Sequence, residues 1–254
     1  MSEFLEKEIN NHFKNRKPFT RKELYDFYLE YKPDINERTF GWRIYELKKK
    51  NIIRSVGKGV YTLSGKPEYK PSPSDSLKKI NKLMKKVFLD IKYSIWETSW
   101  FNEFSNHQIT ANFIVLDIEK ELLNSVFYAL RDKNINDLYL QPTEKEIEIY
   151  VMEKVDPVIL RPLITRSPVQ KIYIDYINLS IPTLEKMLTD LFCDRHIFYF
   201  YSGAEMKRIF ENALDRYTID FSRLFAYANR RGKEEEIKNF IVENFNPLLE
   251  GIAK

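Results

Sequence analysis

The segment PEYKPSPSDS, residues 67–76, sets three prolines and three serines within ten positions. Proline fixes φ and lacks a backbone donor, which shuts this stretch out of helix interiors and central strands. It reads as an extended, solvated linker that packs no core. The chain therefore divides into a unit over residues 1–66, a linker with a connecting helix over 67–90, and a larger unit over 91–254. Charge divides at the same place. Residues 1–70 hold 16 Lys+Arg and 10 Asp+Glu, a net +6, whereas residues 71–254 hold 25 and 27, a net −2. The overall +4 is thus a basic N-terminal unit joined to a nearly neutral one. With 43% hydrophobic residues in 254, both units can bury a core. A single Cys excludes a disulfide framework or a four-Cys zinc site, and seven glycines disfavour glycine-rich phosphate loops. MSEFLEKEINN is charged where a signal peptide is apolar, and no run of about 18 residues lacks charge. A cytoplasmic chain without a membrane segment is expected.

In the first unit, Phe4, Leu5, Ile9 and Phe13 share one helical face. Thr20 followed by Glu23 forms a capping box for RKELYDFYLEY, which Lys32-Pro33 stops. Asn36 caps a third helix, ERTFGWRIYELKKK, with Phe40, Ile44 and Leu47 inward. NIIRSVGKGVYTLSG then reads as a hairpin turning at Gly57-Lys58-Gly59. Three helices and a hairpin with a basic tip make a winged helix-turn-helix, whose last helix enters the major groove of double-stranded DNA.

Rotation by 100° per residue puts Arg38, Trp42, Tyr45 and Lys49 opposite the apolar stripe, with Thr39 beside them. Arg pairs bidentately with guanine, Thr and aromatic rings meet the thymine methyl, and Lys neutralises phosphate. Lys17, Arg21 and Lys22 at the start of the second helix, with Arg54 and Lys58 on the hairpin, complete the candidate DNA surface. Winged helices also dock proteins, and Trp42 suits that reading too. Lys48-Lys49-Lys50 serves equally to complement a helix C-terminus.

Beyond the linker, residues 77–88 carry a helical apolar stripe. Strands are expected over 91–98, 109–118, 146–153 and 169–177, with a short helical turn over 99–106 and a helix over 119–135. Pro182 in a first helical turn opens TLEKMLTDLFCD, and Ser202 with Glu205 caps the helix over 204–217. Helices over 219–232, stopped at Gly232, and 234–245 close the chain. The whole reads as an α+β protein: a winged helix, then an α/β domain with a mixed sheet and a C-terminal helical cap.

Three motifs recur in order: Gly59-Val60-Tyr61 in the hairpin, Glu185-Lys186 with Leu188, Asp190 and Leu191, and Leu224 with Tyr227-Ala228. In them the chain resembles AbiEi-type antitoxins of bacterial type IV toxin-antitoxin systems over nearly its whole length. That resemblance implies operator binding and autorepression through the N-terminal domain. It also implies a C-terminal domain that opposes a nucleotidyltransferase-like toxin without stable contact. By spacing alone, Lys186 and Asp190 form an i,i+4 ion pair worth a few tenths of a kcal/mol.

Asp117 and Glu119 at a strand end are the one pair that suits metal-assisted nucleotidyl transfer, but the upstream Gly-Ser turn is missing. Glu144, Glu146, Glu148 and Glu153 fit a solvated strand face. Cys193 and His196 lack a second ligand pair, His12 and His107 stand alone, and HIFYFYSG reads as core. The chain is therefore expected to be a regulator without catalytic residues, metal or cofactor. Its alternatives are a protein-docking winged helix and an enzyme using Asp117 and Glu119.

Overall fold

The computed structural model of the chain describes residues 2–14, 18–63, 66–88, 90–106 and 112–245. Its N-terminal elements are α1 (Ser2–Phe13), β1 (Phe19–Thr20), α2 (Arg21–Tyr31), α3 (Glu37–Lys49), β2 (Ile53–Gly57) and β3 (Val60–Leu63). The Thr20–Glu23 capping box opens α2, and Asn36 accepts from the Thr39 amide at 2.8 Å to open α3. Leu5, Ile9, Phe13, Phe27, Phe40, Ile44 and Leu47 close one hydrophobic cluster with Ile53 and Tyr61 of the sheet. That sheet has the order β1-β3-β2, antiparallel throughout. Its hairpin turns at Lys58-Gly59, where Gly59 takes φ +70° and its carbonyl accepts from the Arg21 amide at 2.6 Å. The N-terminal unit is a winged helix.

The linker does not stay solvated. Tyr69, Pro71 and Pro73 are buried, one at every second residue, as an extended segment permits when it lies against a surface. The Tyr69 ring packs on Phe104 and Tyr217, the Trp100 indole donates to the Ser72 carbonyl at 3.2 Å, and the Thr218 amide donates to Pro67. Proline rings supply apolar surface without a donor to satisfy, and that outweighs their exclusion from regular structure. The connecting helix, α4 (Asp75–Val87), likewise belongs to the C-terminal core through Leu77, Ile80 and Met84.

A four-stranded mixed sheet follows, built from β4 (Tyr93–Glu97), β5 (Ile114–Ile118), β6 (Leu138–Leu140) and β7 (Val158–Pro162) in the order β4-β5-β7-β6. β4 runs antiparallel to β5, while β5, β7 and β6 are parallel. α5 (Leu123–Asp132) makes the crossover from β5 to β6 after a 3₁₀ turn at Lys120–Leu122. The expected strand over 109–118 is narrower, and residues 107–111 lie outside those described. The expected strand over 146–153 is a helix. α6 (Glu144–Glu146), opened by a Thr143–Glu146 capping box, runs on as a π-helical turn over Ile147–Val151. Ile147 and Val151 are buried four residues apart, while Ile149 and Tyr150 are exposed. The glutamates there lie on helical turns rather than on a strand face.

The central strand β7 goes unpredicted. Covered on both faces, it reads as an apolar run without alternation. The expected strand over 169–177 is a hairpin, β8 (Val169–Ile174) and β9 (Ile177–Pro182), turning through Asp175 and Tyr176 at φ 49° and 64°. Pro182 ends β9, so Thr183 rather than the proline opens α7 (Leu184–Cys193). α8 (Ala204–Arg216) has Gly203 as its cap residue, which carries no side chain, so the expected Ser202–Glu205 cap does not form, and Glu205 accepts from the Ser105 hydroxyl and the Asn106 amide. α9 (Phe221–Arg230), capped by Asp220, and α10 (Glu234–Phe245) complete the helical cover. Gly232, at φ +67°, follows α9 as expected. The fold is α+β, and among the described residues no helix is long and apolar enough to cross a membrane.

Lys186 and Asp190 are not a surface pair. Arg161 of β7 donates from Nε to Asp117 of β5, from Nη2 to Asp190 and from Nη1 to Asp194, at 2.5–2.6 Å. Lys186 Nζ donates to Asp117 at 2.7 Å and to Asp190 at 2.6 Å, the Tyr227 hydroxyl donates to Asp190 at 2.8 Å, and Arg231 pairs with Asp190 and Asp194. Three carboxylates thus meet three cations between the sheet, α7 and α9. Burial opposes the charge on Asp190, but Arg161, Lys186 and Arg231 outweigh it and hold the carboxyl well below the usual range. Burial likewise opposes the charge on Lys186, but Asp117 and Asp190 raise its pKa above the ordinary lysine value. Burial pushes the Tyr227 hydroxyl up to about 12.

The signs follow from linkage. Asp190, depressed in the folded state, contributes stability above about pH 4 and loses it as pH falls through the folded value. Lys186, raised, contributes below about pH 10 and loses it as pH rises through its own. Arg161→Met leaves the carboxylates under-compensated and is expected to cost about 3–5 kcal/mol in urea unfolding at pH 7. A loss under about 1 kcal/mol at that pH would show that the network is dispensable. The wild-type advantage is expected to shrink as pH falls below about 4.

Candidate nucleic-acid interface

The exposed face of α3 is set by what its other face buries. With Phe40, Ile44 and Leu47 in the core, Arg38, Thr39, Trp42, Tyr45 and Lys49 all lie on the outside. Trp42 is 53% and Tyr45 61% exposed, a large apolar area for a helix surface to leave in water. Among the described residues, Arg38 and Lys49 have no ion-pair partner. Arg43, which sequence reasoning passed over, lies 5.1 Å from the Trp42 ring centroid while pairing with Glu46 at 2.9 Å. Adjacent positions on a helix rarely face each other, so helical spacing gave no sign of this contact.

The remaining candidates separate. Lys22 and Lys58 are exposed, at the start of α2 and the tip of the hairpin. Arg21 is a tether: its Nη2 donates to Glu37 at 2.7 Å and its guanidinium lies 4.8 Å from the Phe40 ring, joining α2 to α3. Arg54 is set apart from the others. It lies on β2, whose Val56 is buried in the C-terminal cluster, and faces a cleft between the hairpin and the C-terminal body. Lys17 lies outside the described residues.

Asp117 and Glu119 are not brought together as a metal-holding pair. Both Asp117 oxygens are engaged by Arg161 and Lys186, while a Glu119 oxygen accepts from the Lys92 amide. Cys193 is half-buried beside the network, and burial pushes its thiol up to about 12. In HIFYFYSG, Ile197, Phe198 and Tyr201 are buried in the core. Among the described residues, no group of three or more His, Cys, Asp or Glu is placed to hold a metal ion. The charged network itself escaped sequence reasoning; only the Lys186–Asp190 spacing marked it.

A family model described as a family of unknown function (DUF6577) matches residues 39–247. The chain belongs to the DUF6577 family. The DUF6577 match takes in most of α3, the hairpin, the mixed sheet and every residue of the buried network. No curated protein matches the chain.

Because the outer face of α3 contributes little to packing, its aromatics are expected to be dispensable for folding. Trp42→Ala and Tyr45→Ala should each shift the free energy of unfolding by less than about 0.5 kcal/mol, against about 3–5 for Phe40→Ala. A loss above about 2 kcal/mol for Trp42→Ala in urea titration would show that the ring is part of the core.

Proposed function

We propose that this DUF6577 protein is a DNA-binding antitoxin or transcriptional autorepressor of a bacterial type IV toxin-antitoxin system, acting in the cytoplasm on double-stranded operator DNA. The observation that carries the reading is the outer face of α3, where Arg38, Thr39, Trp42, Tyr45 and Lys49 stand exposed together on a winged helix. In the major groove, Arg38 is suited to guanine, Thr39 and the rings of Trp42 and Tyr45 to thymine methyls, and Lys49 to phosphate. Lys22 and Lys58, exposed on α2 and the hairpin tip, suit the flanking phosphates.

The antitoxin part rests on the resemblance to AbiEi-type antitoxins. Lys186, Asp190 and Tyr227 from its motifs meet in one buried network, which gives those short patterns a common physical reason. The C-terminal domain then opposes a nucleotidyltransferase-like toxin without stable contact.

The exposed Trp42 and Tyr45 also favour a second reading, a winged helix that docks a protein. Salt separates the two. Gel shifts with the upstream DNA of the gene should show specific binding whose logarithmic salt slope is about −0.9 per phosphate neutralised. Arg38→Ala should cost about 1–3 kcal/mol and relax specificity, and Lys58→Ala should flatten the slope by about 1. Absence of salt-sensitive binding, or affinity unchanged in Arg38→Ala, would reject the DNA reading in favour of protein docking.

A further inference from the structure

Between the winged helix and the C-terminal body lies a cleft of about 540 Å³. One wall is β2 with the end of α3, and the other carries the first residues of α7 and α9. Arg54, Thr183 and the start of α7 offer it donors, beside the acids Glu68, Glu185 and Asp220. Arg54 Nε and Nη1 are shielded from water without a hydrogen-bond acceptor, and the Glu68 carboxylate that pairs with Nη1 stands 3.9 Å away on a mostly exposed side chain. Thr183 is only 7% exposed, yet its Oγ1 has no hydrogen-bond partner and does not cap α7. Hence the first-turn amides of α7 receive no acceptor from the residue placed to supply one. Glu185, the acid of that turn, is engaged elsewhere: it accepts from the Asp220 amide at 2.9 Å and faces Arg223 at 3.5 Å.

Buried N–H donors and a buried hydroxyl without partners are costly, and the group that best satisfies guanidinium, hydroxyl and helix N-terminus together is a phosphoryl anion. The cleft is of the size of small-molecule sites, well beyond a lone phosphate. Asp220 on the same wall, partly exposed, is an acceptor for a hydroxyl or amino group of a carrier. We propose that this cleft binds a phosphomonoester on a hydroxylated carrier of about mononucleotide size. Its phosphoryl oxygens meet Arg54, Thr183 and the start of α7 as these two side chains turn from their shielded positions toward the cleft, with Lys48 at the rim. Because the walls belong to two bodies, occupancy biases how the winged helix sits, and hence its hold on DNA. That last consequence rests on the DNA reading above; the binding does not.

Isothermal titration of the full chain with adenosine monophosphate and glucose 6-phosphate tests it, with adenosine and glucose as controls. At least one phosphomonoester is expected to bind with a Kd below about 1 mM and its phosphate-free control not to. Arg54→Gln and Thr183→Val should each weaken binding about tenfold or more while cooperative thermal unfolding is kept. No binding of either ester at about 10 mM, or affinity unchanged in both variants, would overturn the proposal. Binding that is lost in the variants but leaves the gel shift with upstream DNA unaltered would uphold the site and remove only its coupling to DNA.

Discussion

One guanidinium holds the C-terminal body together. Arg161, in the middle of the sheet, engages Asp117 on the neighbouring strand, Asp190 within α7 and Asp194 just beyond it, and Lys186 and Arg231 balance the remaining charge. Charges buried this deeply are tolerated only in near-complete mutual compensation, so the network admits few relative positions of sheet, α7 and α9. The rest of the molecule is hung on those positions. The start of α7 forms one wall of the cleft, and the start of α9 lies beside it. Val56 of the hairpin is buried in the C-terminal cluster, so the winged helix is docked on this body rather than tethered loosely to it. Tyr69, Pro71 and Pro73 lay the connecting segment along the same surface.

What could be read from the sequence was local. The Thr20–Glu23 box, the Asn36 cap and the stripe of Phe40, Ile44 and Leu47 depend on neighbours within a turn or two, and the outer face of α3 follows from them by rotation alone. What could not be read depends on partners far along the chain. Arg161 lies 44, 29 and 33 residues from Asp117, Asp190 and Asp194, and nothing in VILRP marks its arginine as a hub. Lys186 and Asp190 do show their spacing, but spacing carries no information on burial, and burial separates a marginal pair from a structural one. EIEIYV alternates like a strand; the capping box ahead of it and the burial of Ile147 with Val151 made it a helix. The direction in which Arg54 faces was hidden in another way: its sequence neighbours group it with Lys58 on a basic hairpin, whereas the docking of β2 turns it toward the cleft.

The arrangement gives the two halves distinct surfaces with a shared boundary. The winged helix presents a face whose aromatic and basic residues add little to its own core, and the larger body supplies a seat for it. The proposed regulator needs both: a surface free for recognition, and a frame through which its orientation can be set.

The tryptophans offer the most direct test of recognition through α3. Of the three in the chain, Trp96 and Trp100 are buried and Trp42 is exposed, so acrylamide reaches essentially Trp42 alone. Quenching should be measured on the free protein and again with an excess of upstream duplex at low salt. If α3 reads DNA, the duplex shields Trp42 and quenching falls to the level of Trp42→Phe, returning as salt is raised. Quenching that stays at the free-protein level while the duplex is bound would contradict recognition through this face.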